Sequence, residues 1–227
     1  MGAFHKIIAN VKSALERKPA PALAHDGAHL ASTPISNAAR RAELIAQFSR
    51  ELERVGGKFL GDHSETALKD QAIELARRIN AKSVVVGDGL TVEAKAIRKA
   101  LSHNKITVIE PTRVRDEERA TLREQIAQSD LGILEADYAI ASTGTFCIVA
   151  DTRRPSSITI LPPVNFIYVA ADRIMPTMAE VISAVGPDNF ARHRVALVTG
   201  PSRTADIEKM IVIGVHGPKE LFAAVVA

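Results

Sequence analysis

Three short stretches concentrate groups that can hold an anion or move a proton: Ser142-Thr143-Gly144-Thr145, Gly200-Pro201-Ser202-Arg203-Thr204 with the following Ala205-Asp206-Ile207-Glu208, and Gly214-Val215-His216-Gly217-Pro218. The first offers three hydroxyl donors around a glycine that admits a positive φ or a close backbone approach, which suits a cradle for an anion and equally an ordinary hairpin turn. In the second, a β-branched run meets Gly-Pro, a hydroxyl and an arginine. Read as strand, turn and helix start, it lets Ser202 or Thr204 cap the helix while free N–H groups and Arg203 face a phosphate or carboxylate. The plain alternative there is a capped helix with a surface arginine. His216 is a proton-transfer or hydrogen-bonding candidate near neutral pH. Glu135 and Asp137, shortly before the hydroxyl loop, are the carboxylates able to act as acid, base or nucleophile.

Other reactive types are weaker candidates. Cys147 sits within Thr-Phe-Cys-Ile-Val-Ala and reads as a small buried hydrophobe rather than an activated thiolate. His25 and His29 have helical ligand spacing but lie in an Ala/Pro stretch with no evident third ligand, so no metal is assigned. Arg153-Arg154 and the Arg113 to Arg119 run can steer anions, with a solvated face as the default.

The elements that must position these groups follow from periodicity. Phe4, Ile7, Ile8, Val11 and Leu15 predict an amphipathic helix over 3–17 that docks on its own body, a sister subunit or another protein. The Pro-rich stretch to residue 36 reads as a crossing or linker, so 1–36 is one region and the body runs over 37–227. Leu44, Phe48, Leu52, Val55 and Phe59 predict one helical face ahead of Gly56-Gly57, and Leu68, Ala72, Leu75 and Ile79 a second. Ser83 to Val86 is a short β-branched run before Gly87-Asp88-Gly89, as in a strand buried on both faces. With a helix from Val92 to Leu101, a strand at Ile106 to Ile109 and a helix around Leu122 and Ile126, the first half reads as βα units.

Beyond residue 130, DYAIAS, TFCIVA, SITILPP and NFIYVA are four β-like runs with links too short for crossover helices, so some antiparallel pairing is required. Pro176 then opens a helix with Met178, Val181, Ile182 and Val185 inward, followed by strands at VALVTG, MIVIGV and LFAAVV. The three chemical stretches all fall at strand ends, where ligands gather in open α/β sheets.

Composition narrows the class. The 227 residues carry 46% hydrophobic and 24% charged side chains, a globular balance, and a formal net charge of +3, too small for a dedicated nucleic-acid binder. A single cysteine excludes an internal disulfide and the several thiolates that an iron–sulfur cluster takes. No apolar run reaches the ~18 to 20 residues of a membrane span, and the N-terminus lacks the apolar core of a secretory signal, so a cytoplasmic protein is expected.

Taken in order, ILEADYAIASTGTFCIVAD, SITILPPVNFIYVAADRIMPT and VTGPSRTADIE with MIVIGVHGPKEL resemble the lactate-utilisation protein C family, the LUD-domain family, over most of residues 37 to 227. The resemblance implies the fold shared by sugar-phosphate deaminases and isomerases and CoA transferases: a Rossmann-like, mostly parallel sheet flanked by helices, with an added antiparallel portion. It further implies an accessory role in oxidation of L-lactate to pyruvate beside partner proteins that carry iron–sulfur clusters, with no cofactor in this chain. Relatives often place a carboxylate immediately before the Thr-Gly-Thr, where this chain has Ser142. The site expected is an anion pocket of Ser142 to Thr145, Gly200, Ser202, Arg203 and Thr204, with Glu135, Asp137 and His216 as catalytic candidates. A self-sufficient transferase or isomerase acting on a CoA ester or sugar phosphate, and a scaffold with a vestigial pocket, are the competing readings. Homo-oligomerisation stays open.

Overall fold

The computed structural model describes residues 38–89, 94–111, 118–205, 211–214 and 217–227. The predicted helix at 3–17, the linker, His25, His29, Val92, the 113–117 charge run, Asp206 to Glu208 and His216 lie outside the described residues.

Helix α1 (Ala38–Arg54) buries Leu44, Phe48 and Leu52, whose spacing of four puts them on one face. It does not continue to Phe59. The Gly56 and Gly57 N–H groups donate back to Glu53 O and Leu52 O, both at 2.9 Å, and Gly56 takes φ 90°, a glycine C-cap that ends the helix. Phe59 therefore belongs to β1 (Lys58–His63), a strand the periodicity had absorbed into the helix. Next come α2 (Glu65–Arg78), capped by the Ser64 hydroxyl, β2 (Ser83–Val86), α3 (Ala94–His103), β3 (Thr107–Ile109), α4 (Arg119–Ala127) and β4 (Leu131–Glu135).

The second half supplies β5 (Tyr138–Ile140), β6 (Thr145–Ala150), β7 (Val164–Ala170), β8 (Ile174–Met175), α5 (Met178–Arg192), β9 (Arg194–Thr199), β10 (Arg203–Ala205), β11 (Ile211–Ile213) and β12 (Glu220–Val226). Three expectations need correction here. SITILPP is no strand: Ser156–Thr159 form a 3-10 turn after Pro155, and its buried Ile158 packs on the sheet. Pro176 precedes α5, whose N-cap is Thr177 in a reciprocal capping box with Glu180; α5 itself breaks at Gly186 (φ 74°) ahead of Pro187. Of the residues expected inward on α5, Val181 and Val185 are buried, but Met178 and Ile182 are 41% and 48% exposed.

Six parallel strands form the central sheet in the order β1-β12-β7-β4-β2-β3. Strands β4 and β7 are buried throughout because both sheet faces are covered. Alternate residues go to opposite sides. Ile133, Phe166, Tyr168 and Phe222 meet α2 and α3 through Leu68, Leu75, Ile97 and Leu101, whereas Leu134, Ile167, Val169 and Val225 meet α1 and the second sheet through Phe48, Phe146 and Ile148. That second sheet, in the order β8-β5-β6-β9, contains the predicted antiparallel pairs β5–β6 and β6–β9. Its far face carries Ile140 and Cys147 against Val181 and Val185 of α5. The α/β class, the parallel sheet and the antiparallel addition are as expected. No helix among the described residues is long and apolar enough to cross a membrane.

Candidate functional site

The hydroxyl loop and the Gly-Pro-Ser-Arg stretch are far apart in sequence, and β6–β9 pairing brings them together: Thr145 is the register partner of Thr199. Three hydroxyls then form a chain, Thr143 Oγ1 to Thr145 Oγ1 and Thr145 Oγ1 to Thr199 Oγ1, each at 2.7 Å. Thr145 is buried, whereas Ser142 and Thr143 are exposed.

Gly144 is there to approach protein backbone. At φ 62° a Cβ would stand 2.2 Å from Leu52 N, so the loop is clamped on the last turn of α1. Gly200 (φ 67°) is pressed on the same helix end, its missing Cβ 2.6 Å from Val55 O. Arg203 completes this collar by donating from Nη2 to Val55 O at 2.8 Å.

No helix starts at Thr204-Ala205, where one was expected. Arg203–Ala205, which includes Thr204, is strand β10, antiparallel to β11 in register Arg203↔Ile213. The electropositive character rests on the guanidinium itself, which is exposed and has no carboxylate partner among the described residues. Arg203 lines a groove of about 550 Å³ with Thr199, Gly200, Ser202, Gly217, Pro218 and the edge of β9. Gly217 and Ser202 are neighbours, since a Cβ on Gly217 would lie 2.8 Å from Ser202 Cβ. The Gly-Pro-Ser-Arg stretch and the described end of the third stretch, Gly217-Pro218, line this groove, and the hydroxyl loop adjoins it through the Thr145–Thr199 pair.

The carboxylates sit elsewhere. Asp137 is held inside the protein: Oδ2 accepts from Val149 N at 2.7 Å and from Arg154 Nη1 at 3.1 Å, and Oδ1 accepts from Arg154 Nη2 at 3.3 Å. Arg154 is only 5% exposed and also donates to Val149 O, so it braces the β5–β6 hairpin. The solvated default fails for this arginine. Its neighbour Arg153 stays exposed and pairs with Asp88. Glu135 is fully buried at the end of β4, opposite Tyr168 on β7. The Tyr168 hydroxyl is buried without a hydrogen-bond partner, and burial first, then the Glu135 charge, pushes its pKa upward, so the phenol stays protonated.

Sequence reasoning missed the polar group at the carboxyl edge of the parallel sheet. The chain leaves β2 for β3 on one side and returns to β4 on the other, so β2 and β4 flank a topological switch point. Arg98 of α3 closes it from above, donating to Val86 O at 2.9 Å and Asp88 Oδ1 at 2.7 Å and pairing with Glu110. The signal was present as Gly87-Asp88-Gly89 after a β-branched run, a turn at a strand's carboxyl end. Cys147 is buried as expected, and burial, followed by the Asp137 charge, pushes its thiol up to about 11. Among the described residues, no His, Cys, Asp and Glu side chains group as a metal site.

Comparison with known proteins places this arrangement. The LUD domain pattern matches residues 45–226. A protein of Escherichia coli K12 named "Uncharacterized protein YkgG" is 27% identical over 160 residues, 68% of this chain and 67% of that one. "Lactate utilization protein C" of Halalkalibacterium halodurans is 27% identical over 66% of this chain and 65% of its own, and its Anoxybacillus flavithermus namesake is 24% identical over 78% and 77%. The aligned stretch thus spans about two thirds of the length of the first two relatives. A crystal structure of a DUF162 family protein from Deinococcus radiodurans superposes with TM-score 0.57 over 82% of this chain and 98% of that one, at 19% identity, which shows a shared fold. With its pattern matched across the sheets and helices described above, the chain belongs to the LUD-domain family.

Proposed function

We propose that this chain is a cytoplasmic accessory subunit in the oxidation of L-lactate to pyruvate, working beside iron–sulfur partner proteins and receiving a small anion at the Thr143–Thr145–Thr199 and Ser202–Arg203 rim. Two of the relatives named above carry the name lactate utilization protein C. Oxidising lactate to pyruvate removes two electrons and two protons. One buried cysteine cannot supply the thiolates of a cluster that would take those electrons, so the clusters belong to the partners.

The observation that carries the anion reading is Arg203: an exposed guanidinium in a groove, spending one N–H on Val55 O and meeting no carboxylate among the described residues. Lactate and pyruvate carry the carboxylate that such a guanidinium pairs with, and a phosphorylated ligand offers the same chemistry. A self-sufficient transferase with Asp137 as nucleophile is disfavoured, because both oxygens of that carboxylate are engaged by Arg154 and Val149. Reconstitution tests the role. Lactate-dependent dye reduction should require the cysteine-rich partners together with this chain. Oxidation of lactate by the isolated chain, with no redox group from another protein, overturns the assignment.

A further inference from the structure

The second sheet ends in a strand that is paired on one side only. In the order β8-β5-β6-β9, β9 bonds to β6, and its outer edge has no strand beside it among the described residues. Ala196, Leu197, Val198 and Thr199 all line the 550 Å³ groove. Successive side chains on a strand point to opposite faces, so four consecutive lining residues mean that the groove follows the backbone edge, where unpaired N–H and C=O groups emerge.

Such edges are usually blunted by lysine, proline or a bulge. Residues 194–199 read Arg-Val-Ala-Leu-Val-Thr, with neither lysine nor proline, and their register with β6 is unbroken from Arg194↔Ala150 to Thr199↔Thr145. The groove is also apolar where water should reach it: Leu197 and Ile160 are each 48% exposed, and Pro201, Pro218 and Leu221 add to its lining. The exposed Arg203 is among its lining residues.

We propose that β9 receives an extended acidic segment of a partner protein as a further strand of this sheet, with apolar side chains against Leu197 and Ile160 and a carboxylate on Arg203. The inference rests on the anion-receiving role given to Arg203 above and names the carrier of the anion. Strand addition draws affinity from main-chain hydrogen bonds and specificity from alternate side chains, which is what an open edge beside an apolar groove provides. A second copy of this chain is the weaker occupant. Strand β9 contains no carboxylate, so pairing β9 with itself leaves Arg194 and Arg203 without counter-charge, whereas an acidic strand answers them.

Fluorescence anisotropy tests it with three labelled hexapeptides: alternating valine and threonine ending in two glutamates, the same peptide ending in two lysines, and the acidic peptide N-methylated at alternate residues. The acidic peptide should bind the wild type, and N-methylation should abolish binding by removing the strand-forming N–H groups. Arg203→Glu should weaken the acidic peptide by roughly 10- to 150-fold, the range for a charged hydrogen bond, and improve the lysine peptide. Leu197→Lys, at an exposed position, should weaken both without lowering the melting temperature. No binding of the acidic peptide, binding indifferent to N-methylation, or equal affinity of Arg203→Glu for the two charged peptides overturns the proposal, as does a dimer in sedimentation that Leu197→Lys converts to monomer. Lactate-induced thermal stabilisation that persists when the peptides fail rejects only this inference. Peptide binding with no response to any small anion rejects only the small-ligand reading of the rim.

Discussion

The two sheets of this protein are built from similar β-branched residues and do opposite things. In the parallel sheet, β7 (Val-Asn-Phe-Ile-Tyr-Val-Ala) is buried at every position and has a strand on either side. In the mixed sheet, β9 (Arg-Val-Ala-Leu-Val-Thr) has only exposed and half-buried positions and is open along one edge among the described residues. The centre of the parallel sheet is therefore core throughout, and the mixed sheet leaves an exposed strand edge on which the proposed binding would take place. Between them runs the loop after β6, whose Arg153 reaches Asp88 at the edge of one sheet and whose Arg154 locks Asp137 in the other. The hydroxyl and arginine stretches gather on the mixed sheet because that sheet has backbone and side chains left over to offer.

Substitutions on the two sides should break this comparison apart if it is wrong. Phe166→Ala, fully buried in the parallel sheet, should cost about 3–5 kcal/mol in urea denaturation, while Leu197→Ala on the open edge should fall within about 0.5 kcal/mol of wild type. Comparable losses at the two positions would erase the distinction.

Next in size is the brace of the β5–β6 hairpin. Arg154→Ala leaves the Asp137 carboxylate, only 13% exposed, without its cation, and should cost about 3 kcal/mol, the low end for a buried pair. Its urea midpoint should fall accordingly, and Asp137→Ala combined with Arg154→Met should recover part of the loss.

Gly144→Ala tests the collar on α1. The new Cβ would meet the backbone of Leu52 at a positive φ, which should cost about 1–3 kcal/mol in thermal denaturation and displace the threonine chain. A neutral outcome would mean that the loop does not depend on α1.

The smallest effect is electrostatic and belongs to the parallel sheet alone. Burial raises the pKa of Asp130, but hydrogen bonds from Ser83 N, Lys82 N and the Ser83 hydroxyl together outweigh it and hold the carboxyl below its ordinary value. A depressed folded pKa stabilises the protein above the unfolded value of about 4, and that stability is lost as pH falls through the folded pKa. Asp130→Asn should therefore be less stable than wild type at neutral pH and converge on it in acid. A difference independent of pH would show that the carboxylate's charge is irrelevant.

Much of this was legible in the residues. The β-branched run from Ser83 to Val86 reads as a strand covered on both faces, and links as short as Ser142 to Gly144 force antiparallel pairing; NFIYVA, grouped with those antiparallel runs by its short links, instead lies in the parallel sheet between β4 and β12, because strand partners are set by non-local packing. The GPSRTADIE segment was misread because a hydroxyl and acidic residues after Gly-Pro are the composition of a helix start, whereas the strand pairing of Arg203–Ala205 with Ile211–Ile213 is a non-local fact. Phe59 was misplaced for a similar reason: it continues the α1 period by one step, and the glycine cap that breaks the helix wins. For the site, the convergence of Thr145 on Thr199 follows from strand register, which spacing alone does not fix. Structure also assigns Asp137 and Arg154 to each other, a pairing across 17 positions with no periodic signature.

The most direct measurement is ligand-induced stabilisation of the wild type and Arg203→Ala by L-lactate and pyruvate, read as the shift in melting temperature against ligand concentration. The account predicts that at least one of these anions stabilises the wild type, that the variant binds it roughly 10- to 150-fold more weakly, and that the two proteins melt within a few tenths of a kcal/mol of each other without ligand. Equal stabilisation of both proteins, or none of the wild type by either anion, would contradict it.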